Sequence, residues 1–227
     1  MRYYPVSIVL AGRKCVVVGA GAVAARKAGA LIGAGALVTV IGPASGAGIA
    51  ALVKSGAVRL VKRRYKRGDL AGAFLVVSAS DSSAVNRAVF EEASSLGILI
   101  NCVDAPELCN FIVPAVVDRG DLVIAVSTSA RFPALAARLR RELEAVYGPE
   151  YGLFVDIIGA VRRKLLKSRM KRDKKERVIN ELAGSRMPQW LAERDLAGVD
   201  GFLMSLLGPG YTLRGLGMKA MSRDREP

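Results

Sequence analysis

Lys14-Cys15-Val16-Val17-Val18 is a short apolar run that breaks at Gly19-Ala20-Gly21 and passes at once into an Ala-rich stretch reaching about Ile32. A strand that turns on two glycines straight into a helix constrains the fold more than any other feature here. Such a helix serves as the crossover that parallel strands need, since parallel neighbours cannot be joined by a tight hairpin. The pattern repeats. Leu37–Ile41 is a second strand closed by Gly42-Pro43, and a helix near 46–55 leads to Val58–Val61. After a basic loop from Arg63 to Gly68 come Phe74–Ser78, an amphipathic helix over 82–96, and Ile98–Cys102. Strands that are apolar at every position, rather than at alternate ones, are covered on both faces. The fold class is α/β.

The turn itself, Gly19-Ala20-Gly21-Ala22-Val23-Ala24, fits the GxGxxA form of the dinucleotide fingerprint. Gly19 permits the tight turn, Gly21 lets a pyrophosphate approach the backbone, and Ala24 lets helix and strand pack closely. The amides of Ala22 and Val23 then lie at a helix N terminus, where anions are stabilised. A close-packed βα turn with no ligand is the other reading of the same string. The second strand ends Ile41-Gly42-Pro43-Ala44-Ser45, with neither the carboxylate that holds a ribose 2′-hydroxyl nor an Arg or Lys for a 2′-phosphate. The backbone of Pro43 and Ala44 is left as the ribose contact, and this motif does not decide between NAD and NADP.

Two further segments could carry chemistry. Asn101-Cys102-Val103-Asp104-Ala105-Pro106 lies at the carboxyl end of the fifth strand, the edge where open parallel sheets bind ligands. Asp104 is either a base facing that edge or a turn Asp bonded to nearby amides. Ser127-Thr128-Ser129-Ala130-Arg131 precedes a helix expected from Pro133 to Tyr147. It can bind anions, cap that helix through its hydroxyls, or do both. Phe111–Val117 and Leu122–Ser127 read as two strands around Asp118–Asp121, and residues 150–207 as mostly helical. The pattern predicts three parts, 1–110, 111–149 and 150–227.

Composition excludes several chemistries. The chain has no His, so triads, Cys–His pairs and His-ligated metals are ruled out, and proton transfer falls to the remaining titratable groups or water. Cys15, Cys102 and Cys109 lack metal-ligand spacing and read as packing residues in a reducing compartment. No apolar run is long enough to span a membrane and no signal-peptide pattern is visible, so a cytoplasmic location is expected. The net charge of +14 requires a negative partner, and composition alone leaves nucleic acid, acidic lipid and small polyanions open. Arg162–Arg177 has ten basic residues in sixteen but few aromatics for base stacking, and reads as a solvated helical face.

Tyr4-Pro5, Gly19 through Lys27, Gly33 through Val40, Asn101 through Cys109, Phe111 through Ala115 and Val126 through Ser129 occur in order. This set resembles the precorrin-2 dehydrogenase family, the NAD-dependent module of siroheme synthase, closely over residues 3–147. The resemblance implies a Rossmann-like parallel sheet domain, a small dimerisation segment of two strands and a helix, and a C-terminal helical domain, assembled as a homodimer. It implies oxidation of precorrin-2 to sirohydrochlorin with NAD and, in some members, insertion of ferrous iron as a second substrate. No methyltransferase domain follows, which fits a stand-alone form. Asp104 falls on the family's acidic residue, and Ala22, Val23, Pro43 and Ala44 fall on NAD-contacting positions, joined by Ser80. Asn101, Ser127, Thr128 and Arg131 fall beside the substrate, a tetrapyrrole with eight carboxylates that suits a basic protein. No bound metal, nucleic acid or membrane is implied. Two departures stand out. Ser129 and Ala130 replace the family's usual glycines, and Ser80-Asp81-Ser82 replaces its common Thr-Asp-Asp. A non-catalytic NAD-sensing module is the alternative from a different functional class.

Overall fold

The computed structural model describes residues 3–218. The chain divides into two compact units. The first runs to Val113 and includes Ser129–Arg131; the second holds Pro114–Thr128 and the described residues from Phe132 on.

In the first unit β1 (Lys14–Val18), β2 (Leu37–Ile41), β3 (Val58–Val61), β4 (Leu75–Ser78) and β5 (Leu99–Cys102) form one parallel sheet in the order β3-β2-β1-β4-β5. The register runs Lys14 to Val18 against Leu37 to Ile41 on one side, and Cys15 to Val18 against Leu75 to Ser78 on the other. The chain winds outward from β1 in one direction, then returns to build β4 and β5 in the other. The strand order therefore reverses at β1, and ligands of such sheets bind at the carboxyl ends beside that reversal.

Both faces are apolar because both are covered. Cys15, Val17, Val38, Val40 and Val77 pack on Ala24 and Ala28 of α1 (Ala22–Gly33) and Ile49 of α2 (Ala47–Lys54). The alternate residues Val16, Val18, Ile41, Val76 and Ile100 pack on Val89 and Ala93 of α3 (Ser83–Ser95) and on Leu70. A methyl group built on Gly48 would sit 2.8 Å from the Ala25 Cβ, so α1 and α2 approach as closely as small residues allow. The five strands agree with the sequence expectation to within a residue, and the α/β class holds.

Two side chains complete this unit. Glu92 on α3 is only 3% exposed and accepts from the Tyr65 hydroxyl, the Gly68 amide (3.0 Å) and the Leu70 amide (3.1 Å), pinning the loop after β3. Asn110 lies along β5: its Oδ1 accepts from the Ile100 amide (2.7 Å), its Nδ2 donates to the Ile98 carbonyl (2.9 Å), and its own amide donates to the Ile100 carbonyl (3.1 Å).

The second unit opens with the antiparallel pair β6 (Ala115–Arg119) and β7 (Leu122–Val126), joined by Gly120-Asp121. Gly120 has φ +73°, the left-handed value that a two-residue hairpin places on glycine, and donates to Asp118 Oδ1 (2.9 Å). β6 starts at Ala115 and not at Phe111. Pro114 has no amide hydrogen for a ladder, and the Phe111 carbonyl is taken by Asn101 Nδ2 (3.3 Å). Arg119 reaches the end of α4 (Pro133–Val146), donating to the Tyr147 and Glu144 carbonyls at 2.8 and 3.2 Å. α5 (Glu150–Leu166), α6 (Arg172–Ala183), α7 (Met187–Ala192) and α8 (Leu196–Leu207) enclose a core of Ile157, Leu165, Leu182, Met187 and Leu203. The basic stretch is thus split between two helices, with a break at 167–171.

Candidate functional site

The turn between β1 and α1 assigns different jobs to its two glycines. Gly19 has φ +110°, and a methyl group there would lie 2.2 Å from the Ala79 carbonyl oxygen, so the fold itself demands glycine. Its amide donates to the Ile41 carbonyl (2.8 Å), tying the turn to β2. Gly21 has φ −83°, is exposed, and a methyl group on it would meet nothing within 4 Å. Neither backbone nor packing requires glycine there. It is the N-cap of α1, which has no side-chain cap and no acidic residue in its first turn. Exposed Ala22 and Val23 follow, and Ala24 is fully buried. An open approach to an uncapped helix N terminus suits the pyrophosphate of a dinucleotide, the ligand the motif predicts.

The neighbouring strand ends complete the edge. A methyl group on Gly42 would lie 2.8 Å from the Ala20 Cβ, and the Gly46 amide donates to the Ala20 carbonyl (2.9 Å). Exposed Pro43 and Ala44 are thereby held beside the glycine turn. After β4, Ser80 Oγ accepts from the Ser82 amide (3.2 Å) and its carbonyl accepts from Asn86 Nδ2 (3.0 Å), while buried Asn86 also takes the Ser78 hydroxyl (2.7 Å). Gly19, Gly21, Ala22, Val23, Pro43, Ala44 and Ser80 therefore share the carboxyl edge of β1, β2 and β4.

Asp104 follows β5 at the same edge. It sits at φ +60°, a left-handed value that Asp tolerates better than most residues, and it is exposed. Among the described residues its carboxylate makes no hydrogen bond, so the bonds to turn amides allowed by the sequence are not formed. The loop is fixed by other groups. Cys109 Sγ accepts from the Cys102 amide (3.1 Å) and lies 3.3 Å from the carbonyls of Cys102 and Ala105, within reach of its S–H. Asn101 Nδ2 donates to the Phe111 carbonyl and approaches Cys109 Sγ (3.7 Å). Burial pushes the Cys102 thiol up to about 11 and raises Cys109 as well, so neither is a ready thiolate. Sequence reasoning read Cys109 as packing and gave Asn110 no role. Their bonds run to backbone groups of the β5 loop, and no spacing or periodicity signals them.

Ser127 and Thr128 follow β7 in the second unit. Thr128 Oγ1 accepts from the Phe132 amide (3.2 Å). The N-cap of α4 is Phe132, without a side-chain cap, so the hydroxyl cap allowed by the sequence is replaced by a bond to the cap residue's own amide. Ser129 and Ala130 both lie in the left-handed region, at φ +55° and +61°. Arg131 is exposed and groups with the first unit. Among the described residues, no three His, Cys, Asp or Glu side chains are placed to hold a metal ion, and no helix is long and apolar enough to cross a membrane.

Comparison with known proteins agrees with this geometry. A protein-family model described as "Putative NAD(P)-binding" matches residues 6–115. The chain is 39% identical over 181 residues to the siroheme synthase of Methylobacillus flagellatus, covering 80% of this chain and 38% of that one. It is 37% identical over 235 residues to the siroheme synthase of Neisseria meningitidis, covering 95% of this chain and 48% of the relative. The chain thus spans less than half the length of these relatives. Among solved structures, "SirC, precorrin-2 dehydrogenase" superposes with a TM-score of 0.73 at 25% identity, covering 90% of this chain and 98% of that one.

Proposed function

We propose that the chain, which is similar to part of the siroheme synthases and to a solved precorrin-2 dehydrogenase, oxidises precorrin-2 to sirohydrochlorin with NAD. The observation that carries this reading is the carboxylate of Asp104, exposed and without a hydrogen bond at the sheet edge that also bears the glycine turn. Bound NAD supplies the hydride acceptor. The amides at Gly21, Ala22 and Val23 hold the pyrophosphate, and the backbone of Pro43 and Ala44, with Ser80, borders the nucleoside. Oxidation removes a hydride and a proton from the macrocycle, and Asp104 takes the proton. Exposed Arg131, which groups with the same unit as Asp104, is the cation offered to a substrate carboxylate. Asn101, whose amide is committed to the Phe111 carbonyl, holds the Asp104 loop in place.

A purely NAD-sensing module would have no use for an unpaired carboxylate in this place, and is not favoured. The test is Asp104→Ala. NADH formation from precorrin-2 is expected to fall by about 100-fold or more, with NADH binding, read by nicotinamide fluorescence, unchanged. Turnover that survives the substitution overturns the role of Asp104. We extend the reading to a homodimer in the cytoplasm, without nucleic acid or membrane as partner. The homodimer is supported by exposed Val116 and Val123 on the ribbon and by exposed Leu135, Leu139 and Val146 on α4; sedimentation velocity tests it. Anaerobic addition of ferrous iron after the oxidation separates the two kinds of family member: spectra that stop at sirohydrochlorin mean a dehydrogenase alone, and spectra that move on mean that iron is a second substrate.

A further inference from the structure

We propose that Lys62 and Arg64, at the carboxyl end of β3, form a subsite for a 2′-phosphate, so that the chain accepts NADP as well as NAD. This rests on the dinucleotide reading of the first unit. The end of β2, where a carboxylate would select a free 2′-hydroxyl and repel a phosphate, is Gly42-Pro43-Ala44. β3 is the parallel neighbour of β2, with Ile41 opposite Val61, and the Gly42 amide donates to the Val61 carbonyl at 3.2 Å. The pairing therefore continues past the last strand residue, and Lys62 leaves β3 directly beside Gly42-Pro43.

Five of the six residues from Lys62 to Arg67 are cationic, and they are not equivalent. Arg63 is spent: it forms a two-pronged pair with Asp69 at 2.6 and 2.7 Å and donates to the Arg64 carbonyl (2.9 Å). Its amide bonds back to the Val61 carbonyl (2.9 Å), turning the chain at Lys62. With Lys66 also donating its amide to Asp69, and Glu92 holding Tyr65, Gly68 and Leu70, this loop is fixed from below. Lys62 and Arg64 are exposed and, among the described residues, their side chains pair with nothing. A rigid loop thus presents two unspent cations beside the strand end whose residues would border the ribose. An Arg near this end of a Rossmann sheet is what accommodates a 2′-phosphate.

The experiment compares NADH and NADPH binding to the whole chain by nicotinamide fluorescence, using wild type and the double variant Lys62→Glu, Arg64→Glu. Wild type is expected to bind NADPH within about tenfold of NADH. The double variant should weaken NADPH by about 100-fold, since charge-assisted contacts to a phosphate are strong, while NADH changes less than about threefold. Inorganic phosphate should weaken NADPH more than NADH, since both dinucleotides use the anion seat at the N terminus of α1 and only NADPH uses the second one. Wild-type NADPH binding more than about 100-fold weaker than NADH, or equal weakening of both by the variant, overturns the proposal. Failure of both dinucleotides to bind overturns the dinucleotide reading itself. Because both side chains are exposed, Lys62→Gln with Arg64→Gln serves as a fold-preserving check and should show an intermediate loss for NADPH alone.

Discussion

Gly19 and Gly21 are two residues apart in one motif, yet the structure gives them different roles. Replacing Gly19 forces a left-handed residue to carry a methyl group against the Ala79 carbonyl, which is backbone and cannot step aside. Gly19→Ala is expected to cost about 3 kcal/mol or more in urea unfolding. Gly21→Ala adds its methyl group to open space at an ordinary φ. It should unfold within about 1 kcal/mol of wild type, yet bind NADH about tenfold more weakly, because the methyl occupies the ligand's approach. The sequence reading puts both glycines in the turn from a strand to a helix, where the structure has them, because a GxGxxA string between a strand and a helix states its own geometry. It gives Ser129 and Ala130 only as replacements for the resembled family's usual glycines. Those positions are left-handed, which is where glycine is at ease, and that physical fact was hidden until φ was known.

The parallel strands were legible because burial on both faces leaves Cys15–Val18 and Leu75–Val77 with no polar residue and the other three strands mostly apolar, and a glycine precedes each run by a few residues. The same signal misplaced β6. Phe111-Ile112-Val113 has the composition of a strand, but a ladder also needs free backbone partners, and Pro114 and the Asn101 amide remove them. The loop after β5 was legible as a site and not as a construction, since sulfur contacts such as those of Cys109 carry no sequence period. Burial in this unit sets a pH limit. The Cys102 thiol is raised from 9.0 to about 11 and the Tyr65 hydroxyl is raised above its ordinary 10.0, chiefly by burial, with Glu92 adding to the second. Both groups stay protonated in the folded chain at a pH where the unfolded chain has released its protons. Their contribution is complete below pH 9 and declines from there through about 11, with Tyr65 steepening the loss above 10. Urea midpoints measured from pH 8 to 10.5 should fall, and the fall should be shallower in Cys102→Val and in Tyr65→Phe. Equal slopes in all three proteins would remove these groups as the cause.

At the scale of the molecule, a net charge of +14 left several partners open, and the distribution now has more meaning than the total. Arg63 is consumed inside a loop, and Lys164 reaches the Gly210 carbonyl (2.6 Å) beneath the Tyr211 ring. Arg119 is committed to carbonyls of and beyond α4. Counting charges could not separate such structural cations from those free to meet a ligand. The placement of Asn110 has a consequence of another kind, for the behaviour of many molecules together. An open parallel sheet ends in two rows of backbone groups that any passing extended chain could pair with, and such borders are templates for aggregation. Asn110 closes part of one border with an amide side chain that acts as a one-residue strand on β5. Asn110→Ala bares the Ile98 carbonyl and the Ile100 amide. Beyond a loss of about 2 kcal/mol in stability, it should give concentrated solutions that scatter light on gentle warming while wild type stays clear. Equal clarity in the two proteins would mean that the border is guarded by something other than this one side chain.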